Sequence, residues 1–361
     1  MLRNILTTVA GLVIFGTSIF AQDSVTVFTK YYPASTGYSA RKRSMKVHQL
    51  ADSSFILIGN QGIGRDLYAL HIDKDGTTLH FHVYRKPVEL FRLHLTQWGD
   101  LYAFVGQPDG YIIRLKVDPA QGFDTIWLKQ YSHLGSTLIT FFEYGQALVE
   151  QDKIYIIGRV NSTVKPCVFV LDTLGNLLNV WMDLASPGAI EGSVVRHPDG
   201  DLVLAYRTET RRYAVVKISP DFQQVRWARL IQDEAIPYLL VDPQTGYIWV
   251  FSDGWGATLD ILAFDANGNL KISKAYTGAS YSAVVHKAFI YEDKIMVLSA
   301  MKAFILSRND GSLIQAAYIG TTNPNDPISV SDVIFTLDSA FVFAANDARG
   351  KFTLVKTNRF L

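Results

Sequence analysis

Short apolar runs, each closing on one residue before polar turn chemistry, recur along almost the whole chain. FILIG, YAFVG, YIIG, VLAY, WVFS, MVLS and VFAA end at Gly59, Gly106, Gly158, Tyr206, Ser252, Ser299 and Ala345. Six of these end residues are small; Tyr206 is the exception. Their spacings are 47, 52, 48, 46, 47 and 46. Each repeat carries four strand signals separated by turn residues. Residues 91–131 read FRLHLTQ, LYAFVGQ, YIIRLKVD and FDTIWLKQY, divided by WGD, PDG and PAQG. A later repeat gives PYLLVD, YIWVFSD, LDILAFD and LKISKAY, divided by PQTG, GWGAT and ANGN. No stretch keeps a 3.6-residue apolar period over three turns. At most, short turns are expected in the longer connections near 132–142 and 320–331.

A period of this length, built only from strand-like pieces, predicts an all-β fold: a seven-bladed β-propeller of four-stranded antiparallel blades. The second strand of each repeat is the most continuously apolar, as suits an inner strand covered on both faces. The fourth is mixed, as an outer edge should be. Fourth strands also share a register of bulky apolar residue, basic residue and Tyr at alternate positions. The basic residue and the Tyr are frequent rather than constant: Trp127-Lys129-Tyr131, Ile272-Lys274-Tyr276 and Ile314-Ala316-Tyr318 show the register, and Trp227-Arg229-Ile231 shows part of it. The last repeat has only three strand signals, and its missing fourth appears near the N-terminus as Phe28-Lys30-Tyr32. The N-terminal strand, about 24–32, is therefore expected to complete the last blade against about 351–358 and close the ring.

Turns before the fourth strands carry DKDG, DPAQG, DTLGN, DANGN and RNDGS. Asp and Asn cap such turns through the local backbone and Gly accepts positive φ. A calcium loop would need a twelve-residue span and a terminal bidentate Glu, so hairpin turns are expected.

Residues 1–21 form a separate object. Arg3 precedes an apolar stretch from Ile5 to Phe20, and Ala21 precedes polar Gln22-Asp23. This reads as a signal peptide cleaved after Ala21, being shorter than the ~20 apolar residues of a membrane span. Residues 22–361 are expected to be one propeller domain with no membrane span. The 48% hydrophobic content among 361 residues can supply a large core, while a net charge of +1 gives no support for nucleic-acid binding. A single cysteine, Cys167, precludes an intramolecular disulfide and thiolate-rich zinc sites; it reads as a small buried hydrophobe.

Function in such a fold is expected on the loops joining second to third strands, which share a face with the blade-to-blade connections. Those loops hold Arg65, Arg159, Arg207, Arg211 and Arg349 among their basic residues. A ring of arginines can grip carboxylate or phosphate; solvated loops can also simply carry charge. Trp255, between two glycines, can stack on a sugar, anchor a partner or tuck against its own blade. No nucleophile elbow, HExxH, P-loop or dinucleotide fingerprint occurs. His80 and His82 share one face of a fourth strand and need a third ligand to hold a metal; a solvent-facing pair is expected, and no metal or cofactor is.

The DANGN turn, the LKISKAY and TIWLKQY strands and the FAQ cleavage region resemble the exported seven-bladed propellers of Bacteroidota, within the PQQ-like and WD40-like propeller group. Quinoprotein dehydrogenases have eight blades and commonly a vicinal cysteine pair, and WD40 repeats a Trp-Asp dipeptide; this chain has none of these. The expectation is a monomeric, exported, non-enzymatic module, periplasmic or extracellular, binding an envelope or extracellular protein or a glycan through its loop face. The alternative is a polysaccharide-active lyase or hydrolase with its site at the central channel.

Overall fold

The computed structural model describes residues 28–32, 45–61, 66–84, 90–96, 100–105, 111–131, 133–134, 137–141, 147–160, 165–183, 191–208, 212–233, 236–254, 258–277, 285–299, 302–319, 329–346 and 352–357. They form seven antiparallel sheets arranged as blades around a ring. Blade 4 is typical: Glu191–Arg196, Leu202–Thr208, Arg212–Ile218 and Val225–Ile231 follow one another outward. Blade 7 is the expected composite. Phe28–Tyr32 lies antiparallel to Phe352–Thr357, with Phe28 opposite Lys356 and Tyr32 opposite Phe352.

Blade 3 departs from the plain pattern. Its innermost position is shared by Thr137–Phe141 and Leu148–Val149, both paired with Lys153–Val160, and His133–Leu134 adds a short hairpin. Segment 132–142 thus carries strands where only turns were expected.

The core lies between blades. Seven clusters of buried side chains fill the seven blade-to-blade interfaces. In blade 1, Phe55 and Leu57 face blade 7 while Ile56 and Ile58 face blade 2. Successive strand side chains point to opposite faces, so a strand packed on both sides must be apolar at every position. That is why the second strands read as unbroken runs. Gly59 is small because a Cβ there would lie 2.7 Å from the Phe352 ring. Tyr206 escapes the rule because its hydroxyl donates to the Asp183 carboxylate. Cys167 is buried, and burial pushes its thiol up.

The fourth-strand register proves to be a latch on the next blade. Trp127 Nε1 donates to Thr173 O at 2.8 Å, Lys129 Nζ to Asn176 Oδ1 at 2.6 Å and the Tyr131 hydroxyl to Gly175 O at 2.5 Å. Trp227 and Arg229 grip Ala266 O and Gly268 O at 3.0 and 2.9 Å. Tyr276 reaches Gly311 O at 2.8 Å, and Tyr32 reaches Gly76 O at 3.0 Å across the closing seam. The receiving turns are held by their leading aspartates. Asp265 Oδ1 accepts from Asn267 N and Asn269 N at 3.0 and 2.9 Å, and bonds from Asn269 hold its carboxyl down at about 2. These contacts give the turns a hairpin role.

Candidate functional site

The second-to-third-strand hairpins end in register at seven stems: Gln61–Asp66, Val105–Tyr111, Val160–Lys165, Thr208–Arg212, Gly254–Thr258, Ser299–Lys302 and Asn346–Phe352. Arg65, Arg211, Trp255 and Arg349 lie beyond these stems, outside the described residues. Arg159 sits on the second strand of blade 3, opposite Thr140 and Pro166. Arg207 is half-buried on blade 4, opposite Glu191 and Tyr213.

Beside the stems of blades 4 and 5 the structure assembles a polar cluster that sequence reasoning missed. Ser252 Oγ donates to Asp233 Oδ2 at 2.9 Å. The Tyr213 phenol, 1% exposed, neighbours the same Ser252 hydroxyl, which partly offsets the effect of its burial. A serine hydroxyl has one proton. With that proton on Asp233, Ser252 stands between the buried phenol and the carboxylate. Burial pushes the Tyr213 phenol up. Asp260, across the strand pair from Ser252, completes the group. Burial first, then the Asp233 charge, push the Asp260 carboxyl above its ordinary value, opposed by a bond from Thr258.

The arrangement has a chemical sense. Asp233 accepts hydrogen bonds, while Asp260 takes a proton more readily than an ordinary carboxyl and can then donate one. A hydrogen-bonded carboxylate beside a carboxyl that takes a proton more readily forms a polar reader for hydroxyl or amide groups, and equally an acid–base pair. The sequence held a signal. Two successive repeats place Asp just past the fourth strand, at 183 and 233, and the following repeats answer with hydroxyl-bearing Tyr206 and Ser252.

A second charged cluster lies on the innermost strands. Asp332 of blade 7 accepts Val47 N at 3.0 Å from blade 1, with Lys287 Nζ of blade 6 at 2.8 Å and Lys46 Nζ at 3.8 Å. Burial alone would raise this carboxyl; the two lysines overcome burial and hold it below the carboxylate range. Burial and Lys287 lower the neighbouring His48. From Lys287 a groove of about 390 Å³ runs between blades 6 and 7, lined by Phe289, Tyr291, Glu292, Val333 and Phe335. Its signal was one carboxylate inside the apolar strand SVSDVIF.

The fold and these clusters define a seven-bladed β-propeller carrying polar chemistry at the blade 4–5 rim. No family model matches the chain, and no curated protein matches it. Among solved structures it is similar to the Dos1 propeller, at 12% identity over 91% of this chain and 83% of that one, with a TM-score of 0.56. It is also similar to a Bacteroides caccae protein of unknown function, at 10% identity over 74% of this chain and 94% of that one, with a TM-score of 0.46. The first likeness bears on the fold alone.

Proposed function

We propose that this protein is an exported, non-enzymatic binding module that recognises an envelope or extracellular protein, or a glycan, through its loop rim at blades 4 and 5. One observation carries the reading. The stems Thr208–Arg212 and Gly254–Thr258 flank the Tyr213, Ser252 and Asp233 cluster and the unfavourably placed Asp260. Folding gains little from keeping two carboxyls together, whereas a ligand does. Export is supported by the apolar N-terminal stretch, and kinship with exported PQQ-like or WD40-like propellers by the turn and strand motifs. The test is affinity capture of the tagged mature protein from its own cell envelope, with cross-linking. The expected result is a partner cross-linked to 206–213 or 252–258 whose affinity falls about tenfold or more in Arg207→Ala/Arg211→Ala. Unchanged affinity in that variant would remove the rim from the reading.

The paired carboxyls favour one second reading, a hydrolase or lyase acting on polysaccharide. It requires turnover of a polysaccharide panel that disappears in Asp233→Asn and Asp260→Asn while binding persists. Loss of binding in those variants, with no turnover by the wild type, decides for recognition.

A further inference from the structure

The groove between blades 6 and 7 joins an ionic end to an apolar body. Its walls are two innermost strands, Val285–Tyr291 and Ser329–Phe335. Phe289, Tyr291, Val333 and Phe335 line a volume of about 390 Å³, within the range of small-molecule sites. Aromatic packing fixes the shape of the walls. The Tyr291 ring lies 4.9 Å from that of Phe335, and meets that of Phe341 edge-on at 5.1 Å and 88°. Phe289 and Phe335 are only half-buried, so the groove presents aromatic surface to solvent.

Lys287 stands at the ionic end, its Nζ 6.0 Å from the centroid of the Phe289 ring. The same ammonium lies 2.8 Å from Asp332 Oδ1, yet that buried oxygen has no aligned hydrogen bond. The contact is ionic, and the three N–H donors of the lysine are not spent on it. Lys46 faces the same carboxylate from 3.8 Å, so two ammonium groups meet one carboxylate. Both lysines are about a quarter exposed, at 26% and 27%. Burial first, then Lys287, lower the neighbouring His48, against the pull of Asp332, so this imidazole adds no charge near neutral pH. At the other end Glu292 is answered by Lys294 at 3.6 Å. Charge complementarity therefore calls for one more anion, and calls for it beside Lys287.

We propose that this groove, separate from the rim at blades 4 and 5, binds a small carboxylate with an aromatic body. The carboxylate meets Lys287 with Lys46 behind it, and the body lies along Phe289, Tyr291 and Phe335. Neither half is selective alone. An apolar groove takes any oily fragment, and an ion pair at the surface is weak. Together they distinguish an aromatic anion from its neutral and its ringless analogues.

The test titrates isoleucine-methyl-labelled protein with 4-phenylbutyrate and follows the methyl resonances. Saturable binding is expected in the millimolar range, as suits a ligand of about a dozen non-hydrogen atoms. The Ile290 and Ile334 methyls, which line the groove, should move most. Neutral 4-phenylbutanol and ringless butyrate should each bind at least about tenfold more weakly. Lys287→Gln should lose at least about tenfold in affinity for 4-phenylbutyrate, and Lys287→Arg should keep it. Should Lys287→Gln fail to fold by circular dichroism, Phe289→Ala, which leaves the ion cluster in place, carries the comparison with the same expected loss. The proposal is overturned by unsaturable shifts, by shifts centred on isoleucines away from the groove, or by 4-phenylbutanol binding as tightly as the anion. Wild-type affinity in a folded Lys287→Gln or Phe289→Ala overturns it as well.

Discussion

At Asp332 a carboxylate with 1% exposure lies between three blades, and what surrounds it decides whether the inner ring tolerates it. Burying one charge is costly, and removing its partner leaves that cost uncompensated. Lys287 is the near partner at 2.8 Å, while Lys46 stands off at 3.8 Å. Lys287→Ala is therefore expected to destabilise the protein by about 2 kcal/mol in urea unfolding, less than the ~3–5 kcal/mol of a fully orphaned buried charge. The pH dependence has a definite sign. The folded carboxyl is held below its unfolded value, so its stabilisation is complete above about pH 4 and fades as pH falls through the folded value. The gap between wild type and Lys287→Ala should accordingly be widest near neutrality and close in acid. A gap that is constant from pH 7 to pH 3 would mean that packing of the lysine stem, not its charge, matters here.

Strands and turns were legible in the sequence because their causes are local. Period-2 alternation, Asp-Gly turn chemistry and the repeated fourth-strand register all lie within one repeat, and Phe28-Lys30-Tyr32 announced the closing strand by matching it. The split inner strand of blade 3 was hidden because Thr137–Phe141 falls outside the position where other repeats place a strand. The rim cluster was hidden for a different reason. Tyr213, Asp233, Ser252 and Asp260 are distributed over two repeats and meet only when blades 4 and 5 pack. The latch itself yields a prediction about its receiving turns. Gly268 has φ of +78° and a Cβ there would lie 2.5 Å from the Trp227 ring, whereas Gly200, at φ +93°, has nothing within 4 Å. Gly268→Ala should cost about 3 kcal/mol, strain plus displaced indole, and Gly200→Ala only about 1–2 kcal/mol of strain. Equal urea midpoints for the two variants would show that the latch bears no weight.

Around the whole ring, each blade is held by its neighbours, and the circle is complete only through Phe28–Tyr32. Deleting residues through Tyr32 uncovers the edge of Phe352–Thr357, and open edges recruit other strands. Size-exclusion chromatography should then find oligomers or aggregate in place of one compact species; a compact monomer with unchanged melting temperature would show that the ring holds without its closure. The same closure sets an order in time. Phe28 pairs with Lys356, 328 positions later, and drawing together ends so far apart costs about 5 kcal/mol of chain entropy. On a ribosome adding roughly 5–20 residues per second, the first strand waits between about 15 and 65 s for a partner. The earliest-made part of this fold is thus the last to be satisfied, and losing Phe352–Thr357 would undo the first strand of the ring as surely as the last.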